Sequence, residues 1–313
     1  MTGEAKPLRP AAAMPVTPQA GKAIVLMLIA VALFSVMDVL VKWEGALYPV
    51  VMVMFFRSLF AFVPLSFFVF KNGIRGALAV QSPMSHVLRS ALGLGAMAAI
   101  FVAYTKMSLA DVIAITFSAP LFVTALSVPM LGERVGPRRW SAILVGFAGV
   151  LIMVQPGPGM VESAAMIALV GTLCYAMASI YVRKLSRVDP SSAIVFYNTL
   201  TATIVTGAIL PFVWVTPDLV DLLLMMAIGM VGGTAQLLKT QAFRYADVAV
   251  IMPFDYSALI WATLYSYLIW DEFPDQWVLI GATVVIASGL YILFRESSLG
   301  LPRGQARRLQ SKR

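Results

Sequence analysis

Runs of apolar residues alternate with short polar punctuation from one end of the chain to the other, and ten of them are long enough to cross a membrane. They fall at about 23–41, 49–70, 88–105, 110–131, 139–155, 162–182, 192–213, 219–242, 246–270 and 277–294. A hydrocarbon core about 30 Å thick takes roughly 20 apolar residues of helix. Runs of this length are expected to be helical, because backbone groups in lipid must be satisfied within the segment. Five tryptophans (Trp43, Trp140, Trp214, Trp270, Trp277) stand at the ends of these spans, where an interfacial belt belongs.

Composition agrees. Of 313 residues, 60% are hydrophobic and 12% charged, and the mean hydropathy is +0.87. A soluble domain carries about a quarter charged residues. The expected fold class is therefore an all-α integral membrane protein. The net charge of +8 does not point to nucleic acid, since the basic residues gather at span ends and in the tails. One histidine (His86) and one cysteine (Cys174) make a His/Cys metal site improbable and leave no partner for a disulfide. No cofactor or metal is expected. Residues 1–21, rich in Pro, Ala and Thr, are expected to form a disordered tail, and residues 297–313 a basic tail suited to anionic headgroups.

The loops give an orientation. Apart from Arg57 and Lys239, which lie inside spans, 19 Lys and Arg residues fall on the side of the N-terminus and two (Lys42, Lys106) on the other. Both termini are therefore expected in the cytoplasm of a bacterial-type inner membrane. An even number of spans follows.

The chain also repeats. "LADVIAITFSAPLFVTALSVPMLGERVGPRRW" (109–140) can be laid on "YADVAVIMPFDYSALIWATLYSYLIWDEFPDQW" (245–277). Asp111 then matches Asp247 at an offset of 136, and Glu133 matches Glu272 at 139. Two halves of five spans each, 22–156 and 157–296, must be inverted with respect to one another, because five is odd. Each Asp is expected to cap its helix N-terminus. Such halves, with a site near the midplane between them, are an architecture of secondary transporters.

Charges at bilayer depth are costly, about 2.5–3.5 kcal/mol on insertion scales, and so tend to face a cavity or a partner. The candidates are Asp38, Arg57, Lys239 and Asp255. Asp38 and Lys239 are placed nearer span ends, where snorkelling is cheap. Pro120 and Pro253, near the middle of the fourth and ninth spans, each remove an N–H and free a carbonyl, those of Thr116 and Ala249. Corresponding breaks in two halves point to a transport site, although a packing kink is the plainer reading. Phe117, Phe254 and Tyr256 are candidates for stacking on a ligand, and Gln236 for hydrogen bonding it or an adjacent helix. The glycines of the spans most simply permit close helix packing. "GMVGG" is not a phosphate loop, since no Lys-Ser/Thr follows it.

"MLGERVGPRRWSAILVGFAGVLIM" closing the first half and "DEFPDQWVLIGATVVIASGLYILFRE" closing the second resemble the drug/metabolite transporter superfamily in its EamA-like branch, over residues 22–296. The resemblance rests on Glu133 and Glu272, each followed by a Gly-containing helix (Gly146, Gly149; Gly281, Gly289). It implies secondary transport of small metabolites by rocking-bundle alternating access, around a cavity lined largely by spans 1, 3, 4, 6, 8 and 9. "FRSLFAF" and "PFDYSALIWA" look most like the riboflavin and S-adenosylmethionine carriers, and amino-acid exporters belong to the same family. The related small multidrug proteins carry a central acid in their first helix, whereas Asp38 is placed nearer the outer end.

The function expected is thus transport of a small polar organic metabolite by a monomer or homodimer among membrane lipids, with protons as a conceivable coupling ion. A lipid-carrier flippase on the same fold is the alternative; Arg57 and Lys239 would be its phosphate-binding pair. A membrane-embedded enzyme would need clustered nucleophiles, acids or metal ligands, and no HExxH-like pair is present.

Overall fold

The computed structural model describes residues 20–72, 78, 80–132, 136–154, 160–185, 188–245 and 254–298. Glu133, Asp247, Pro253 and almost all of both tails lie outside them. The described residues form eleven helices: α1 (Ala20–Leu47), α2 (Val50–Asn72), α3 (Pro83–Tyr104), α4 (Leu109–Thr116), α5 (Ala119–Leu131), α6 (Pro137–Val154), α7 (Met160–Leu185), α8 (Ser191–Val213), α9 (Leu219–Tyr245), α10 (Ala258–Trp270) and α11 (Gln276–Ser298). With α4 and α5 taken as one span, nine are long and apolar enough to cross a membrane, and α10 is a shorter apolar helix. The ten expected spans are thus accounted for, the ninth only from Phe254 onward. Large side chains such as Phe212 (87% exposed) and Ile260 (70%) stand bare on the outside, which water would not tolerate over so wide a belt and lipid does.

Exchange of the two halves maps the packing onto itself. α1 packs on α9 as α3 packs on α7; α2 packs on α9 as α3 packs on α8; α5 packs on α7 as α10 packs on α1. The remaining large pairings, α6 with α11, α2 with α8, and α4 of the fourth span with α10 of the ninth, join counterpart spans. This is the packing of two repeats about a pseudo-two-fold axis. At the α6–α11 crossing the backbones touch: a methyl group on Gly149 would lie 2.9 Å from the Gly281 carbonyl oxygen, so the glycines are required by close approach.

The register between halves is sharper than the sequence suggested. α5 and α10 both start and end 139 residues apart (119 and 258; 131 and 270), and α6 and α11 begin at the same offset (137 and 276). Gly132 and Asp271, again 139 apart, both cap their helices in the left-handed conformation, at φ 66° and 54°. Before the break the offset is 136, as for Pro83 of α3 and Leu219 of α9. Between Leu219 and Tyr256 the second half therefore carries three residues more than the first carries between Pro83 and Phe117.

The breaks themselves are marked by Phe117-Ser118-Ala119 and Tyr256-Ser257-Ala258. Each serine hydroxyl donates back to the carbonyl three residues earlier, Ser118 to Ile115 at 2.7 Å and Ser257 to Phe254 at 2.6 Å. Pro120 sits at the second position of α5, where a missing N–H disturbs little. Asp111 does not cap α4 as expected. Ser108 does, its hydroxyl accepting from the Asp111 N–H at 3.1 Å, because the short serine side chain reaches the third helical N–H.

Candidate functional site

Packing divides the spans into two bodies. One holds α1, α2, α8 and α9; the other holds α3 to α7 with α10 and α11; contact across the seam is thinner than within either. The intramembrane charges sit along that seam. Lys239 of α9 donates to both oxygens of Asp255, at 2.8 and 3.0 Å, joining one body to the other. Those side chains are 17% and 29% exposed. Lys239 also lies 5.9 Å from the centre of the Phe34 ring. Asp38 of α1 lies within electrostatic reach of Tyr104 of α3, Arg57 and Lys239. Neither Asp38 nor Lys239 snorkels to a span end. Both face inward.

Among the described residues, the close contacts of Arg57 of α2 are with a sulfur and an aromatic ring. Its Nη1 lies 3.2 Å from the Met97 sulfur, and its guanidinium carbon lies 5.9 Å from the Phe101 ring centre. It shares a cavity of about 60 Å3 with Arg89, Asn198, Thr199 and Gln236, at the meeting of α2, α3, α8 and α9. A whole drug-sized ligand needs roughly 300–1,000 Å3. The cavity therefore fits a head group.

Phe117 and Tyr256 meet edge to face, centroids 4.9 Å apart and planes at 86°, and so join the two helix breaks. The Tyr256 hydroxyl is buried against Gly289, where a methyl group would lie 2.4 Å from it. It does not line the cavity. Phe254 packs with Ala23, Met27 and Ala242. Of the residues proposed from sequence, the structure thus gathers Asp38, Arg57, Lys239, Asp255 and Gln236 near the seam, and assigns Phe117 and Tyr256 to the junction of the breaks.

Hydropathy starts the third span at about residue 88 and so leaves Arg89 at its boundary. α3 begins at Pro83, one residue past its N-cap, and carries Arg89 nearly two turns inside. The proline was the legible signal, since Pro favours the first helical position. Asn198, an amide in an otherwise apolar span, was a second. Tyr175 of α7 is half-exposed and lies within the electrostatic reach of both Arg89 and Lys239, so it belongs to the same interior.

Both ends of the seam carry further links. On the face opposite the N-terminus, Lys42 of α1 pairs with Glu272 and lies 4.6 Å from the Trp270 ring centre, with Trp43 beside it. On the other face, His86 Nε2 and the Gln81 N–H each lie 2.8 Å from a carboxylate oxygen of Asp189. Among the described residues no group of three or more His, Cys, Asp or Glu is placed to hold a metal ion.

A two-repeat helical membrane protein with charges gathered at an internal seam has the form of a carrier for small solutes. Comparison with known proteins agrees. The family model for the EamA-like transporter family matches residues 21–155 and again 162–294, and the chain belongs to that family. A relative named as an S-adenosylmethionine uptake transporter, from Rickettsia prowazekii (strain Madrid E), is 28% identical over 262 residues, 84% of this chain and 89% of its own. A riboflavin transporter from Rhizobium johnstonii is 27% identical over 273 residues, covering 86% of this chain and 90% of its own. A pseudopaline exporter, CntI of Pseudomonas aeruginosa, is 28% identical over 260 residues, 82% of this chain and 90% of its own. A crystal structure at 18% identity superposes with a TM-score of 0.63, over 89% of this chain and 99% of that one, and supports the fold alone. The protein is a multi-pass membrane transporter of small metabolites.

Proposed function

We propose that the protein is a secondary transporter that moves a small polar organic metabolite across a bacterial inner membrane by alternating access, with its site at the seam between the two bodies. The candidate substrates are S-adenosylmethionine, riboflavin and amino acids. One observation carries this reading: the scaffold is symmetric and its charges are not. α2 and α8 are equal in length and start 141 residues apart, so Arg57 answers to Asn198. At the offset of 136 that relates α3 to α9, Arg89 answers to Met225 and Lys239 to Ala103. No fold requirement demands these charges, and charges at depth are costly unless they act. Asp255 is paired across the seam by Lys239. Separation of the bodies frees its carboxylate to meet a cationic group of the substrate, while Arg57, Asp38 and Gln236 face the remainder.

Alternating access requires the seam to open at one end at a time. Lys42–Glu272 closes one end, and Lys239–Asp255 lies toward the other. The test is counterflow of labelled S-adenosylmethionine, riboflavin and amino acids in proteoliposomes. Saturable exchange of one of these classes is expected. No exchange above empty liposomes for any of them, with translocation of a fluorescent lipid instead, refutes the reading and favours a flippase.

A further inference from the structure

We infer that Arg57 and Arg89 together form a subsite for a carboxylate, so that the substrate is an acid or an amino acid rather than a neutral solute; this rests on the transport reading above. The two guanidiniums line one cavity, and they approach it from opposite bodies, Arg57 on α2 and Arg89 on α3. Arg57 Nε and Arg89 Nε and Nη1 are buried without a hydrogen-bond partner among the described residues. A buried cation with open donors is costly, and its side chain persists where something else satisfies it.

The charge inventory points the same way. Three cations (Arg57, Arg89, Lys239) and two anions (Asp38, Asp255) occupy this interior. Lys239 and Asp255 satisfy one another. Asp38 offsets at most one guanidinium, and at least one positive charge remains. A single carboxylate cancels it. The planar forks of two arginines suit a carboxylate's two oxygens, where a lysine would offer only a point charge.

The wall is shaped for such a group. Gly93 leaves α3 bare at this level: a methyl group there would lie 2.9 Å from Asn198 Oδ1 and 3.6 Å from Arg89 Nη1. Asn198 and Gln236 supply amide groups beside the two cations. The volume of about 60 Å3 takes a carboxylate head and leaves the body of the substrate to extend along the seam toward Tyr175 and Lys239. Because the arginines belong to different bodies, a carboxylate between them relieves their mutual repulsion and draws the bodies together. Substrate binding would then favour closure, as a carrier needs.

The experiment uses purified full-length protein and two readouts. Arg57→Gln and Arg89→Gln are first melted without ligand. A binding subsite predicts a midpoint unchanged or raised, since each change removes an unsatisfied buried cation. A fall of several degrees in both variants means that the guanidiniums hold the fold, and overturns the proposal. The unmodified protein is then titrated with S-adenosylmethionine, L-methionine and L-phenylalanine, with the methyl esters of the two amino acids, and with riboflavin. For whichever amino acid binds, esterification is expected to weaken binding about tenfold or more. Equal binding of acid and ester, or riboflavin as the only ligand, overturns the proposal. Absence of counterflow for every solute would refute transport instead, and the ligand-free melts would still decide the subsite.

Discussion

Neutralising either member of the Lys239–Asp255 pair tests whether the seam is held by charge. In Asp255→Asn the side chain keeps its shape and loses its charge, stranding an ammonium that is 17% exposed. At 2.8 Å and an effective dielectric of about 20, the attraction is about 6 kcal/mol before desolvation is subtracted. Removing one partner of a fully buried pair costs about 3–5 kcal/mol. Asp255 is 29% exposed, so solvent reaches the pair and the expected loss is nearer 2–3 kcal/mol. Lys239→Gln should cost a similar amount, about 2–3 kcal/mol, by stranding the carboxylate. The double variant should be less destabilised than the sum of the two by about 2 kcal/mol, since neither charge is then left alone. Reversible unfolding by titrating a denaturing detergent into mild micelles gives all three free energies. Additivity within about 0.5 kcal/mol would mean that the two side chains do not act as a pair, and the seam reading would fail.

Three further outcomes follow from the packing. Gly281→Leu drives a side chain into α6, where even a methyl group would lie 2.5 Å from the Gly149 carbonyl, and should cost about 1–3 kcal/mol in the same unfolding assay; no loss would mean that α6 and α11 do not cross this closely. Lys42→Gln removes a link to a carboxylate that is 39% exposed, so stability should change by less than about 1 kcal/mol. A cysteine at Trp43, in a background with Cys174→Ala, should then react faster with a membrane-impermeant maleimide, and an unchanged rate would show that this pair does not close the seam. Cytoplasmic reporters fused to either terminus should be active and periplasmic reporters silent, as the excess of Lys and Arg on that side requires; the opposite result would invert the orientation.

The fold was legible where hydrophobicity alone decides it. Span positions, the half-exposed tryptophans and the glycine crossing of α6 on α11 follow from apolar run length and residue size. The register of the repeat was not, because Asp111 and Asp247 suggest one offset while Glu133 and Glu272 suggest another. Only the backbone shows that a single offset relates α5 to α10 and the start of α6 to that of α11, while α3 and α9 begin at another. The prolines were the visible mark of the break. The structure adds Ser118 and Ser257, whose hydroxyls return to the preceding turn. Among the site residues, hydropathy puts Asp38 and Lys239 nearer span ends but says nothing of which way a side chain faces, and the structure turns both toward interior partners. Arg89 was passed over for the same reason, since a charge near the start of an apolar run is read as its boundary.

A symmetric carrier faces a difficulty that asymmetric charges resolve. With two equivalent halves, the inward-open and outward-open arrangements are mirror solutions of the same packing and differ little in energy, which suits a device that must visit both. Specificity cannot arise from that symmetry, since each favourable contact would be duplicated at the opposite end of the seam. Here the polar links across the seam differ with depth: Lys42–Glu272 at one end, Asp38–Tyr104 deeper within, and Lys239–Asp255 toward the other end. In the proposed cycle, opening either end would therefore break a different link and expose a different charge. Of these interior groups, Arg57 and Arg89 alone have cationic nitrogens buried without a hydrogen-bond partner among the described residues. A ligand that satisfies them acts at the one level where neither end's link competes. Selectivity should therefore be alterable by substitution at this level while the cycle stays intact. Arg89→Lys keeps the charge and loses the fork, so it should weaken discrimination between an acid and its ester while counterflow persists. Loss of counterflow with discrimination intact in the same variant would show that Arg89 serves the motion rather than the ligand.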